Sequence, residues 1–299
     1  MQSTLAPQRV LVTGAAGFIG SHLCARLQEL GAEVHGVSRH DRASDSACWW
    51  QTDLAEYPAA HQLMEEVRPD LVFHLAGEVN GSRELALFPS TTRNNLLSTV
   101  NLLTSACEIG GPRVVLSGSA TEPKPDQIPT SPYAASKAAI SIYARMFHAC
   151  YGIPVVNLRP SMVYGPGQGD YEKLIPYVTR SLLRGAVPQL TSGVHEFDWV
   201  YVDDVVEAFI GAASTDDIAG ESLDVGSGEL VSVHSIVERI VRLVDGTTQP
   251  QFGEVPDRPR ETSLLADVQR TRELLGWQAR TSLDDGLATT VEWYRERHM

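Results

Sequence analysis

The most restrictive feature of this 299-residue chain is its opening, where an apolar strand-like run, a glycine-spaced turn and a helix start follow one another directly. Val10-Leu-Val-Thr-Gly14-Ala-Ala-Gly17-Phe18-Ile19-Gly20 has that order. Gly14 permits a tight turn, Gly17 lets backbone N–H groups approach an anion, and Gly20 allows close helix–strand packing. A helix N-terminus adds partial positive charge, so the turn suits a pyrophosphate. The spacing is G-x-x-G-x-x-G rather than the commoner G-x-G-x-x-G, so its meaning depends on what comes after it.

What comes after it is alternation. Arg9–Val12, Glu33–Val37, Asp70–Leu75, Arg113–Leu116 and Val155–Leu158 read as strands. Phe18–Leu30, Ala59–Val67, Leu85–Cys107 and Pro132–Tyr151 have apolar residues at helical spacing. Repeated βα units with right-handed crossovers predict an α/β fold, a doubly wound parallel sheet of Rossmann type. After Arg159 the pattern changes to Gly/Pro-rich loops and isolated helices. The expected division is a dinucleotide-binding domain over 1–160, with 197–227 returning to it. A smaller interleaved substrate lobe would take 161–196 and 228–299.

Composition limits the partners. With 43% hydrophobic residues the chain can bury a large core, and its formal charge of −13 argues against nucleic acid. No apolar run approaches the roughly 20 residues that span a bilayer, and Met1–Arg9 lacks the pattern of a signal peptide. Cys24, Cys48, Cys107 and Cys150 are scattered, without metal-ligand spacing. These features predict a soluble, cytoplasmic protein with reduced cysteines, no membrane partner and no metal.

The ends of the strands carry the expected cofactor contacts. Asp53-Leu54 falls after the second strand, where a carboxylate can accept from an adenine amino group. His74-Leu75-Ala76-Gly77 closes the third strand at the sheet edge where such folds bind ligands. His74 itself reads equally well as an ordinary strand-end residue. Gly36-Val37-Ser38-Arg39, with Arg42 beyond, offers cations where an NAD site places a carboxylate for the ribose 2′-hydroxyl. This favours NADP and leaves NAD open, since Asp41 could take the ribose while Arg39 is solvated. Trp49-Trp50 could line the adenine site or pack a loop.

Ser131-Pro132-Tyr133-Ala-Ala-Ser-Lys137 places Tyr-x-x-x-Lys at a helix start. Residues i and i+4 share a helix face, so the Lys137 ammonium can lie beside the Tyr133 phenol and lower its pKa. Tyr133 then becomes a workable acid/base, and Lys137 can also bond a nicotinamide ribose. Ser119, just past the fourth strand, can bond a substrate oxygen whose charge changes; Ser117 competes for that role. Three such features in order on compatible elements are unlike coincidence.

With these residues the chain resembles the extended short-chain dehydrogenase/reductases, in their nucleotide-sugar epimerase/dehydratase/reductase group, over essentially its whole length. Further similar stretches are Asn94-Asn95, Leu158-Arg159-Pro160 and Val163-Tyr164-Gly165-Pro166, then Asp198 to Asp204, Arg258-Pro259 and Leu275-Gly276-Trp277. The resemblance points to Ser119 rather than Ser117 and implies a catalytic set of Ser119, Tyr133 and Lys137. It implies cofactor contacts at Gly14, Gly17, Phe18, Ile19, Gly20, Ser38, Arg39, Asp53, Leu54, Leu75, Ala76, Gly77, Asn95, Tyr133, Lys137 and Pro160. Asn95 would be a structural asparagine beside that site. Substrate contacts would come from Ser119, Thr121, Met162, Lys173 and Arg258, the last reaching a nucleotide diphosphate or remaining a solvated loop arginine. A homodimer through Leu85–Cys107 and the Tyr133 helix is also implied, although the same apolar positions would suit burial within one monomer.

Departures from the family narrow the chemistry. Sugar-nucleotide 4,6-dehydratases carry an Asp-Glu pair after the active-site hydroxyl, where this chain has Ala120-Thr121, with Glu122 one position too far. The usual asparagine before Val163 is Met162, and the arginine expected before Asp198 is Phe197. The short Ser119–Tyr133 segment, with Gly165–Asp170 leading into Lys173–Pro176, is similar to the 4-ketoreductases of nucleotide-linked deoxysugars. The sequence therefore predicts NADPH-dependent reduction of the 4-keto group of a nucleotide-activated deoxyhexose. The alternatives are a nucleotide-sugar epimerase with the same triad and, more remotely, a non-catalytic dinucleotide sensor.

Overall fold

The computed structural model describes residues 8–40, 48–124, 126–244, 246–257 and 262–298. Twelve strands appear among them. They are β1 Arg9–Thr13, β2 Glu33–Ser38, β3 Cys48–Gln51, β4 Leu71–His74, β5 Arg113–Ser117 and β6 Val155–Pro160. Then come β7 Met162–Tyr164, β8 Gln189–Leu190, β9 Glu196–Tyr201, β10 Ser222–Val225, β11 Leu230–Ser232 and β12 Gln251–Phe252. The helices are α1 Phe18–Glu29, α2 Tyr57–Val67, α3 Leu87–Thr91, α4 Ser98–Glu108 and α5 Pro132–Tyr151. They continue with α6 Leu174–Leu183, α7 Val202–Ser214, α8 Val233–Val244, α9 Val268–Leu275 and α10 Leu283–His298.

The chain divides into two compact units. The first holds residues up to Arg159, Val206–Asp224 and Arg270–Trp277. It is organised on a seven-stranded sheet of order β10-β6-β5-β4-β1-β2-β3. Pairing is parallel from β6 across to β3, with Thr13 level with Val37 on one side and His74 on the other. Strands covered by helices on both faces read as unbroken apolar runs, and Val10, Leu11, Val12, Val114, Val115 and Leu116 are all fully buried. The order turns back between β1 and β4, so the carboxyl ends of those strands open the crevice where doubly wound sheets hold ligands.

Three features differ from the sequence expectation. Trp49 and Trp50 stand in the edge strand β3, paired with β2, rather than in a loop, so Asp53 follows the third strand rather than the second. The expected Leu85–Cys107 helix is interrupted by a wider π-helical turn, Thr92–Leu97, between α3 and α4. Such turns accommodate one extra residue, and this one contains the fully buried Asn95. Phe197–Val205 does not return to the large sheet, because β9 pairs in parallel with β7 and antiparallel with β11. Only Val206–Asp224 of the expected 197–227 segment falls in the first unit, joined there by Arg270–Trp277. The Thr271 hydroxyl donates to the Asp224 carbonyl at 2.5 Å, which anchors that late segment.

The second unit comprises Pro160–Val205, Val225–Gln269 and Gln278–Met299. Its core includes α8, where Val233, Ile236, Val237, Ile240 and Val241 form one buried stripe at helical spacing. Asp198 is fully buried there as the hub of a loop, accepting from the amides of Ser227, Gly228 and Ala266 and from the Ser227 hydroxyl. No helix among the described residues is long and apolar enough to cross a membrane.

Candidate active site

The glycine turn is built from close approach. Gly14 has φ +69°, and a Cβ there would lie 2.8 Å from the Ala76 nitrogen. A Cβ on Gly20 would lie 2.1 Å from the Gly14 carbonyl oxygen, so only hydrogen fits where α1 crosses β1. Gly17 caps α1, and its N–H is bonded to the Gly14 carbonyl at 2.9 Å. The first turn of α1, with Phe18 and Ile19 half-buried, carries no acidic side chain, so the partial positive charge at the helix start is unopposed there. A side-chain-free cradle at a helix N-terminus fits the pyrophosphate of a dinucleotide.

Ser131 starts α5 by accepting from the Ala134 amide at 3.1 Å, and Pro132 supplies the fixed φ of a first helical residue. Tyr133 and Lys137 then follow one turn apart, with Lys137 Nζ 5.8 Å from the Tyr133 ring centre. Lys137 is buried and donates to the Ser117 carbonyl at 2.5 Å. The Ser119 hydroxyl lies 2.8 Å from the exposed Thr121 hydroxyl, and Ser119 is near enough to the Tyr133 phenol to pull its pKa down. Ser117 therefore contributes a carbonyl to this cluster and Ser119 the hydroxyl.

The electrostatics depart from the simple picture of a lysine lowering a phenol. Burial pushes the Tyr133 phenol up to about 12; Ser119 pulls it down and the Glu122 charge pushes it further up. Burial also lowers Lys137 to about 8, with Glu122 acting the other way. Desolvation is the largest influence on both groups.

A buried polar chain ties the cluster to the sheet. The Ala76 amide donates to Thr13 Oγ1 at 3.2 Å, and Thr13 Oγ1 lies 2.7 Å from His74 Nδ1. His74 Nε2 lies 2.9 Å from Thr99 Oγ1, which donates to the Asn95 carbonyl at 2.6 Å. With Thr99 already spending its proton, His74 must be the Nε2–H tautomer, accepting from Thr13. Burial, then the Lys137 charge, lowers the imidazole to about 3, so His74 is a neutral core residue. Asn95 bonds Glu78 through both backbone groups and donates to Ser136 Oγ, which donates to the Tyr133 carbonyl. Glu78 was not singled out from the sequence, yet its carboxylate also accepts from Asn94 and Ser90.

The remaining expected contacts are placed as follows. Leu75 donates its amide to the Thr13 carbonyl, and a Cβ on Gly77 would meet Asn95 Oδ1 at 2.9 Å. Ser38 ends β2 and its hydroxyl accepts from the His40 amide; Arg39 is exposed and its carbonyl accepts from Gln51. Asp53 accepts from the Ala55 amide and from Arg93 at 2.8 Å; burial is the largest single influence and opposes its charge, but the Arg93 and Ala55 bonds with the Arg93 and Arg39 charges together hold the pKa below the ordinary carboxylate value. Leu54 is buried with its carbonyl bonded to Asn101. Pro160 ends β6. Met162 on β7 and Lys173, which caps α6 with its ammonium 3.7 Å from Asp170, belong to the second unit. Arg258, Asp41 and Arg42 lie outside the described residues.

Glu122 is the residue that sequence reasoning passed over. Ser119-Ala-Thr-Glu122 has the S-x-x-E spacing of a helix cap, but it lies in a turn with no helix after it, and the Ser119 hydroxyl accepts from the Thr121 amide rather than from that of Glu122. The Glu122 amide donates to the Ser119 carbonyl at 3.0 Å, and Glu122 Oε1 accepts from the Ser119 amide at 2.9 Å.

The sequence profile of the NAD dependent epimerase/dehydratase family matches residues 10–226. A UDP-glucose 4-epimerase of Mycolicibacterium smegmatis is 33% identical, over 97% of this chain and 99% of its own. A probable dTDP-glucose 4,6-dehydratase of Sinorhizobium fredii is 31% identical, over 96% and 93%. Among solved structures, the Thermotoga maritima UDP-glucose 4-epimerase with UDP-glucose superposes with a TM-score of 0.90 at 26% identity, covering 97% and 99% of the two chains. MoeE5 in complex with UDP-glucose and NAD gives 0.87 at 33% identity, over 97% and 99%. A profile match of that length, with relatives a third identical from end to end, makes this chain an enzyme of the NAD-dependent epimerase/dehydratase family, in the nucleotide-sugar group of the extended short-chain dehydrogenase/reductases.

Proposed function

We propose that the chain interconverts a nucleotide-linked hexose and its 4-epimer, with NAD as the resident cofactor. The observation that carries this reading is the Ser119–Tyr133–Lys137 cluster with Ala120 and Thr121 beside it, which can move one proton at one oxygen and has no adjacent Asp-Glu pair for water elimination. The names of the 33%-identical relatives, a UDP-glucose 4-epimerase and a protein holding UDP-glucose and NAD, support it.

NAD, when bound, supplies the acceptor and later the donor of hydride at the sugar C4. The fraction of Tyr133 present as phenolate takes the proton of the 4-hydroxyl as the carbonyl forms and returns it as the carbonyl is reduced, and because burial and the Glu122 charge both raise the phenol that fraction is small at neutral pH. Ser119 holds that oxygen through its hydroxyl, and Lys137 supplies positive charge beside the phenol. Thr121, Met162, Lys173 and Arg258 are the candidate substrate contacts, and the glycine turn with Ser38, Asp53 and Leu75–Gly77 the candidate cofactor contacts. A homodimer in the cytoplasm belongs to the same proposal.

A second reading, net NADPH-dependent reduction of a 4-keto-6-deoxyhexose, is favoured by two observations. Tyr133 is protonated at neutral pH, as a donor to a ketone oxygen must be, and Ser38-Arg39 offers a cation at the end of β2. Purified protein would be given UDP-glucose with NAD, following UDP-galactose by chromatography. In parallel, nucleotide-linked 4-keto-6-deoxyhexoses would be given with NADPH or NADH, following loss of the reduced nicotinamide. Sugar interconversion without net cofactor change supports the epimerase. Stoichiometric NADPH oxidation replaces it with the reductase, and turnover in neither assay refutes both.

A further inference from the structure

Behind the candidate catalytic serine lies a carboxylate whose bonds all run inward. Glu122 Oε1 accepts from the Ser119 amide at 2.9 Å, and Oε2 accepts from the Ser141 hydroxyl on α5. Ser141 Oγ in turn accepts from Asn157 Nδ2 on β6 at 2.6 Å. The chain of donors runs from Asn157 through Ser141 to Glu122, so both carboxylate oxygens act as acceptors, as an ionised group requires. Room for the cluster comes from Gly118, where a Cβ would lie 2.5 Å from Glu122 Oε1 and 2.7 Å from Asn157 Nδ2.

We propose that Glu122 is a positioning residue for this active site: it fixes the Ser119 backbone against α5 and β6 and presents a negative charge to Lys137 and Tyr133. The charged groups facing it are Lys137 on α5 and Arg159 on β6, with Tyr133 as the neutral one. Burial raises the Glu122 pKa, while the Ser141 and Ser119 bonds and the Arg159 and Lys137 charges oppose that rise. Its charge favours the Lys137 ammonium and disfavours the Tyr133 phenolate, which keeps the proton on the phenol. The double tie at Ser119, through both backbone groups, fixes the backbone from which its hydroxyl projects.

The inference rests on the reading of Tyr133 as the acid/base, so its test does not use turnover. The full-length protein would be labelled with 3-fluorotyrosine, and the Tyr133 resonance assigned by its loss in Tyr133→Phe. Fluorine NMR would then follow its titration in the parent, in Glu122→Gln and in Ser141→Ala. The amide of Glu122→Gln keeps an oxygen for the Ser119 N–H and removes the charge. Its Tyr133 midpoint should fall by on the order of one pH unit. Ser141→Ala keeps the charge and should leave the midpoint in place. An unchanged midpoint in Glu122→Gln, or an equal shift in both variants, overturns the proposal. A shift confined to Glu122→Gln in a protein that turns over no nucleotide sugar sustains it while defeating the proposed function.

Discussion

A phenol that burial holds near 12 gives up its proton only to a strong acceptor, so removing its oxygen should stop the chemistry while sparing the fold. Tyr133→Phe is expected to lower kcat by about 10²- to 10⁴-fold with NAD affinity unchanged, read by initial rates beside isothermal titration. Gly20 tests the other end of the site. Its missing Cβ would lie 2.1 Å from a backbone oxygen, which cannot swing aside as a side chain can. Gly20→Ala should destabilise the protein by about 1–3 kcal/mol in urea unfolding and abolish detectable NAD binding in the same calorimeter. At this scale the sequence was most readable where chemistry demands a residue type at a fixed spacing, as in Gly14–Gly20 and Tyr133-x-x-x-Lys137. It was least readable where burial decides. Nothing local tells that Glu122 turns inward, or that Tyr133 is governed by desolvation rather than by Lys137.

Elements are joined by the relay from Ala76 through Thr13, His74 and Thr99 to Asn95, which links β1, β4 and α4. Its imidazole falls from an ordinary value near 6.5 to about 3, so the unfolded chain binds a proton in that window and the folded chain does not. The stability His74 contributes is therefore complete above about pH 6.5 and is lost as pH falls toward about 3. His74→Gln should be less stable than the parent at pH 7 by a few kcal/mol and should lose less on acidification to pH ~4.5, measured by urea midpoints at both pH values. A parent and variant that decline in parallel would show that His74 is charged in the fold. The sequence placed His74 at a strand end but not in this chain, because Thr13 and Thr99 are neighbours only after β4 pairs with β1. The π-helical turn was hidden for a related reason: one wide turn barely disturbs apolar spacing averaged over Leu85–Cys107. Strand β3 escaped because four residues are too few to show a period.

At the scale of the molecule, the alternation of strands and helices was enough to specify a doubly wound sheet, since few other arrangements bury such runs on both sides. The assignment of β9 was not, because Glu196–Tyr201 alternates like any strand and its partners, Met162–Tyr164 and Leu230–Ser232, are remote in sequence. The family's cofactor gives a test for the whole chain. A ligand that binds only the folded state at 100 times its Kd adds about 2.7 kcal/mol, which for a chain of this size raises Tm by about 5 °C. NAD should do so in a thermal scan. A larger rise with NADP at equal concentration would assign the Arg39 end of β2 to a 2′-phosphate. The crowding at Gly118 has a consequence in evolutionary time. A methyl group at 118 and the carboxylate at 122 exclude one another, and Asn157 crowds the same space from a distant strand. A lineage can therefore gain a side chain at 118 only after 122 has shortened and Asn157 has given way. Once it has done so, the way back is closed until that side chain is lost. Homologues with alanine or serine at 118 should carry a smaller residue at 122, and the two positions should drift as one trait.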